Sequence, residues 1–136
     1  MSRVRHHRVI QVVTDSSCDL PRELLSRLKI VVVPLVVHFG TESYFDGELS
    51  PQAFWKKAAE GAAPQTSRPS PGAFEEAFGS LVAQGRKVLC ITLTGKHSGT
   101  TETARLAAER FGAMVQVFDS HSLSLGVGLQ AMAAAK

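Results

Sequence analysis

Three short stretches constrain this chain most: Val9 to Thr14, Val88 to Leu93 and Met114 to Phe118, in which nearly every residue is apolar. A strand with one wet face alternates apolar and polar side chains. These runs instead offer apolar side chains to both faces, the pattern of strands inside a parallel sheet covered on both sides by helices. The segments between them carry helix signals. Ser50-Pro51 and Ser70-Pro71 each set a capping hydroxyl before a proline at the first helical position. Asp19, as an N-cap with Pro21 in the first turn, predicts a short helix through Leu28. Phe54-Trp55 and Ala58-Ala59 recur at helical spacing before Gly61. Phe74, Ala77, Phe78, Leu81 and Val82 form one apolar stripe, and Ala104, Ala107, Ala108 and Phe111 another. The aromatic residues in these stripes read as core. A last helix begins after Leu123. Strands alternating with helices predict an α/β fold: a three-layer, Rossmann-like domain with a mainly parallel sheet.

Two regions depart from that alternation. Ile30 to Phe39 is β-branched and strand-like, but Pro34 inside it demands a bulge, an edge or a break into two pieces. Turn signals at Gly40 and Asp46-Gly47 flank a short strand at Ser43 to Phe45, so a short antiparallel hairpin is expected there. Ala63 to Arg68 reads as a loop.

The length of 136 residues suits one domain with a core of its own. With 15 basic against 12 acidic residues the formal charge is only +3, and Arg3, Arg5, Arg8 and Arg22 lie near the start. No basic stripe interleaved with aromatics is present, so nucleic acid is not an expected partner. Met1 to Arg8 has no apolar signal-peptide segment, and residues 1–8 are expected to be flexible. Cys90 lies in an apolar run and reads as core, whereas Cys18, in a polar segment, is a weak candidate for a reactive thiol. Two cysteines without a secretory signal suggest a reducing, cytoplasmic setting. The chain stops at Ala133-Ala134-Ala135-Lys136 inside a helix-like run with no cap, which suggests a domain that normally continues.

Open α/β sheets bind ligands beyond the carboxyl ends of their strands. Here those ends read Asp15-Ser16-Ser17, Thr94 to Thr100 and Asp119-Ser120. Short hydroxyl residues gather at all three. A helix opening near Ser98-Gly99-Thr100 adds free backbone N–H groups, and Gly99 allows close approach. The pattern suits a small anion, a carboxylate or a phosphate. Caps and turns use the same residues, and spacing alone does not choose between the two. Sharper motifs fail. Gly126-Val127-Gly128-Leu129-Gln130-Ala131 has dinucleotide-loop spacing but comes several residues after its strand, and reads as helix packing. Gly95-Lys96 lacks the upstream glycine of a phosphate loop. No histidines have ligand spacing, Asp15 and Asp19 make a weak metal pair, and His97 beside Ser98 is poorly placed for a triad with Asp119. Neither catalytic residues nor a metal are expected.

Six segments in order resemble the DegV family: Val13-Thr14-Asp15-Ser16-Ser17-Cys18-Asp19-Leu20-Pro21; Val33-Pro34-Leu35 with Phe39-Gly40; Tyr44-Phe45-Asp46-Gly47; Thr66-Ser67-Arg68-Pro69-Ser70; Ser98-Gly99-Thr100; and Val117-Phe118-Asp119-Ser120. The resemblance implies a bacterial fatty-acid-binding protein that does no chemistry of its own. It presents a long-chain acid to a partner fatty acid kinase, which phosphorylates the carboxylate. It also implies a two-domain molecule, of which residues 1–136 match the first domain and the start of the following helix. By position, Thr66 and Ser98 would hydrogen-bond the carboxylate, with Asp15, Ser16, Ser67, Gly99, Thr100 and Ser120 as neighbours. No cofactor is implied beyond the bound fatty acid. Departures from the family pattern are Cys18 for a small residue, Arg68 for Gln, His97 for an apolar residue and Thr101 for Tyr. The family's second-domain histidine is matched by none of His38, His97 and His121.

These features set further expectations. The acyl chain supplies affinity at ~0.8 kcal/mol per buried methylene, and the hydroxyls recognise the acid. Transient contact with a membrane fits a lipid carrier, and a second copy is expected to cover the face that a second domain would cover. One competing reading is a phosphotransferase-like enzyme using Asp15, Asp119 and the Ser98 loop on a small phosphorylated substrate. Its need for several cations is met at the strand ends only by Lys96 and Arg68. The other is a structural fragment that binds nothing without its missing half.

Overall fold

The computed structural model describes residues 9–136; the expected flexible start, residues 1–8, lies outside the described residues. Four parallel strands form one sheet in the order β2-β1-β6-β7: Ile10–Asp15 (β1), Val31–Val33 (β2), Lys87–Thr92 (β6) and Val115–Asp119 (β7). The register sets Val13 of β1 against Val31 of β2 and Cys90 of β6, and Cys90 against Val117 of β7. Three antiparallel strands form a smaller sheet in the order β4-β3-β5: Val36–Phe39 (β3), Glu42–Phe45 (β4) and Gln65–Ser67 (β5). The helices are Arg22–Arg27 (α1), Pro51–Ala59 (α2), Pro71–Ala83 (α3), Thr100–Glu109 (α4) and Leu125–Ala135 (α5).

The doubly apolar runs explain the layers. One face of the parallel sheet presents Val13, Val88 and Cys90 to Phe74 and Phe78 of α3 and to Ala104 and Ala107 of α4. The other presents Val12, Ile91 and Leu93 to Val127 and Ala131 of α5, to Leu25 of α1 and to Leu28 just after it. Small residues on α4 let it approach closely, and Phe111 closes the gap edge-on to Phe78 at 6.2 Å. Ser50 and Ser70 cap α2 and α3 as read, accepting from Ala53 N–H and Ala73 N–H, each at 3.1 Å.

The structure corrects several expectations. Pro34 does break its stretch into two pieces, one of the outcomes expected of it, and the halves join different sheets: β2 is parallel to β1, and β3 is the central strand of the antiparallel sheet. The break is held from outside, because Leu35 N–H donates to Ser16 Oγ and its carbonyl accepts from Asp46 N–H. The segment read as the loop Ala63 to Arg68 contains strand β5, paired to β3, so the hairpin is a three-stranded sheet. Asp19 does not cap α1. Asp15 caps a tight turn at Ser16–Cys18, which leaves Asp19 left-handed (φ 51°) and accepting from Ser124 Oγ at 2.7 Å. Pro21, just before α1, lends only its carbonyl. Trp55 is 69% exposed, because α2 covers only the small sheet and none of its residues is fully buried. β7 is parallel but lies at the sheet edge, so Phe118 is 52% exposed. The paired glycines of α5 serve packing: Gly128 faces the Cys18 carbonyl and the Leu20 side chain.

Candidate functional site

The carboxyl ends of β1, β6 and β7 meet at one end of the parallel sheet, and the small sheet folds over that end. Asp15 terminates β1. Its buried carboxylate accepts from Leu93 N–H at 2.8 Å and from Ser17 N–H at 2.9 Å, and also from the Ser17 hydroxyl. Burial pushes this carboxyl above the ordinary aspartate range, against the pull of those hydrogen bonds. Asp15 therefore clamps the end of β1 to the end of β6. Ser16 clamps the same end to Leu35. Both stand behind the site as supports.

After β6 the chain turns through Thr94 to Gly99 and enters α4. Thr92 and Thr101 share a hydrogen bond at 2.7 Å, and Thr101 Oγ1 also donates to the Leu93 carbonyl at 3.1 Å. Ser98 is half-buried; its hydroxyl lies 2.8 Å from Thr100 Oγ1 and accepts from Thr100 N–H. Thr100 is fully buried, so it braces Ser98 and does not reach a ligand itself. Gly99 begins the helix with no side-chain cap, and the Arg68 guanidinium lies against it where any Cβ would collide.

The crossing of β5 over this turn makes the site. A cavity of about 440 Å³ is lined by Thr66, Ser67 and Arg68 on one side and His97, Ser98 and Gly99 on the other, with Leu35 and Leu93 supplying apolar wall. Of the residues named from sequence, the cavity brings together Thr66, Ser67, Ser98 and Gly99. Thr100, Asp15 and Ser16 lie behind it. Ser120 is elsewhere: it is buried, bonded to Ser122 N–H, and shapes the link from β7 to α5. A second depression of about 540 Å³ shares His97, Ser98 and Gly99 and extends past Lys96, Glu102 and Arg105 to Asp119.

The charges favour an anion in the first cavity. Arg68 has no acidic partner among the described residues. Burial, the largest single influence on Asp119, pushes its pKa up. Hydrogen bonds from His121 N–H and Gly95 N–H, with the nearby His121 and Arg105 charges, outweigh burial and hold it below the usual range. Asp15 and Asp119, the carboxylates of the phosphotransferase reading, both accept hydrogen bonds from backbone N–H groups. The thiol reading of Cys18 fails, because the residue is 2% exposed beneath α5 and burial pushes its pKa up. Among the described residues no three His, Cys, Asp or Glu side chains are grouped to hold a metal.

Sequence reasoning missed the wall residues Leu35 and Leu93, which carry no signal beyond apolarity. It also missed His38 of β3, whose ring lies 2.9 Å from the Ser67 hydroxyl and 2.8 Å from that of Ser43. Only the pairing of β3 with both neighbours, invisible while β5 reads as a loop, places it there.

Comparison with known proteins finds relatives of this chain in sequence and in fold. Residues 9–136 match the family described as "Uncharacterised protein, DegV family". A DegV domain-containing protein of Deinococcus radiodurans is 42% identical over 129 residues, 93% of this chain and 46% of that protein. A Thermus thermophilus structure described as fatty acid binding of a DegV family protein superposes with a TM-score of 0.86 at 40% identity, covering 93% of this chain and 46% of the other. The Bacillus subtilis structure described as DegV, a fatty acid binding protein, gives 0.85 at 30% identity, covering 94% and 46%. The chain thus spans about half the length of the relatives it matches. On its sequence and its fold, the chain belongs to the DegV family.

Proposed function

We propose that this chain is a lipid-binding domain that holds the carboxylate of a long-chain fatty acid in the cavity between β5 and the start of α4. Thr66 and Ser98 donate hydroxyl hydrogen bonds to the carboxylate, and Arg68 supplies the positive charge. The single observation that carries the reading is that Thr66, Ser98 and Arg68, whose guanidinium has no acidic partner among the described residues, line one cavity walled in part by Leu35 and Leu93. The relatives described as fatty acid binding support it. A hydrogen bond to a charged acceptor contributes ~1.5–3 kcal/mol, enough to set which end of the lipid docks, while the acyl chain supplies most of the affinity at ~0.8 kcal/mol per buried methylene. Binding requires neither base nor nucleophile.

The test is calorimetric titration of the delipidated protein with oleate, beside the methyl ester of the same acid. Oleate is expected to bind and the ester to bind at least tenfold more weakly, since the ester has lost the charge (~1.5 kcal/mol or more). Equal affinity for the two refutes a carboxylate site.

A finer part of the proposal concerns the whole protein. The bound carboxylate sits at an open mouth and is offered there to a fatty acid kinase subunit. Acyl phosphate is expected only when kinase, ATP, oleate and this protein are combined, and equal turnover without the protein argues against presentation. A version extended to the length of the relatives is expected to bind oleate more tightly, because more of the acyl chain leaves water.

A further inference from the structure

His38 lies one strand behind the cavity, with its two ring nitrogens set between two hydroxyls. Nδ1 is 2.8 Å from Ser43 Oγ on β4, and Nε2 is 2.9 Å from Ser67 Oγ on β5. Ser67 also lines the cavity. The register explains the placement: His38 stands opposite Ser43, while Ser67 stands opposite Val36, two residues along on the same face of β3.

A neutral imidazole has one donor and one acceptor nitrogen, and a hydroxyl has one hydrogen. Only two arrangements satisfy both short contacts. In one, Ser67 donates its hydrogen to Nε2, and only oxygen lone pairs remain for the cavity. A carboxylate is repelled by that surface. In the other, Ser43 donates to Nδ1 and the Nε2–H donates to Ser67 Oγ. The Ser67 hydrogen is then free to point into the cavity. A doubly protonated ring donates to both hydroxyls and supports the same second arrangement.

We propose that His38 is a positioning residue for the carboxylate site: held by Ser43, it donates from Nε2 to Ser67 and so turns the Ser67 hydroxyl into a donor for the bound acid. The inference rests on the carboxylate reading above and deepens it. It adds Ser67 to Thr66 and Ser98 as a direct contact, and it makes Ser43, outside the cavity, part of the recognition.

The experiment combines oleate titration with ¹⁵N spectroscopy of the His38 ring. His38→Phe removes the donor, whereas His38→Gln retains an amide N–H for Ser67. Oleate is expected to bind His38→Phe and Ser67→Ala about tenfold more weakly than the unaltered protein, the scale of a hydrogen bond to a charged group. The double variant should be no weaker than Ser67→Ala alone, because the histidine acts only through that serine. His38→Gln should recover most of the loss. Loading with oleate should leave the ring with its proton on Nε2. Additive losses in the double variant, equal losses in His38→Phe and His38→Gln, or an Nε2 without a proton in the loaded protein each overturn the relay while leaving the carboxylate site standing. No oleate binding by the unaltered protein overturns the carboxylate reading and the relay with it.

Discussion

Two helical glycines separate the intrinsic cost of glycine from the packing it permits. Glycine in a helix interior costs roughly 1 kcal/mol against alanine. Gly79 lies inside α3, and a Cβ added there would meet the Phe111 ring at 3.6 Å, an ordinary contact. Gly79→Ala should therefore stabilise the domain by about 0.5–1 kcal/mol. Gly128 of α5 has the same intrinsic cost, but its added Cβ would lie 2.5 Å from the Cys18 carbonyl oxygen and 2.8 Å from Leu20 Cδ2. The first of those is backbone in a tight turn whose start is clamped by Asp15, so it yields little. Overpacking of this kind costs ~1–3 kcal/mol, which cancels or exceeds the propensity gain. Gly128→Ala should be neutral to destabilising by about 2 kcal/mol, opposite in sign to Gly79→Ala. For a domain of 136 residues a change of 1 kcal/mol moves Tm by roughly 3–4 °C. Thermal unfolding of the two variants beside the parent should show one Tm raised and the other unchanged or lowered. Two upward shifts of equal size would mean that α5 slides freely over the Cys18 turn, and the account of its glycine pair would fail.

Other expectations concern the site and its supports. Ser98→Ala should weaken oleate binding about tenfold or more by calorimetry, as one hydrogen bond to a charged group is lost. Arg68→Gln should weaken it only several-fold, and that difference should shrink as salt rises, because the exposed charge is screened. Asp119 and Asp15 should act oppositely on acid stability. The folded pKa of Asp119 is lowered, so its contribution is present above the unfolded aspartate range and lost as pH falls through the folded value; Asp119→Asn should flatten that part of the curve. The folded pKa of Asp15 is raised, so between its unfolded and folded values the native state holds the extra proton and stability falls as pH rises. Denaturant titrations from pH 3 to 7 on each asparagine variant check both signs. Leu125 and Leu129 are 55% and 63% exposed on α5; substituting both with Glu should reduce any concentration-dependent association seen by sedimentation.

Local chemistry determined much of this protein. Two of the three doubly apolar runs became buried parallel strands, because a strand that is apolar on both faces needs cover on both, and the third became the parallel edge strand β7. The Ser-Pro pairs dictated two helix starts, since capping is an interaction within one turn. The strand-end rule and the family motif together pointed to Thr66, Ser67, Ser98 and Gly99, which the fold does bring to one cavity. Tertiary structure decided the rest. Gln65 to Ser67 carries no strand signal of its own and becomes β5 only because β3 offers an edge to pair with. Asp15, Ser16 and Thr100 look like ligand groups in sequence. The Asp15 carboxylate and the Ser16 hydroxyl are taken by Leu93 and Leu35, partners that only chain crossing brings near, and the Thr100 hydroxyl is buried against Ser98 two residues before it. Phe118 and Trp55 are apolar in sequence yet half or more exposed, because burial depends on whether a strand is central and how much sheet a helix has to cover. His38 reaches Ser67 across 29 positions of sequence. Hydrogen-bond partners so far apart are chosen by register, and register is a property of the assembled sheet.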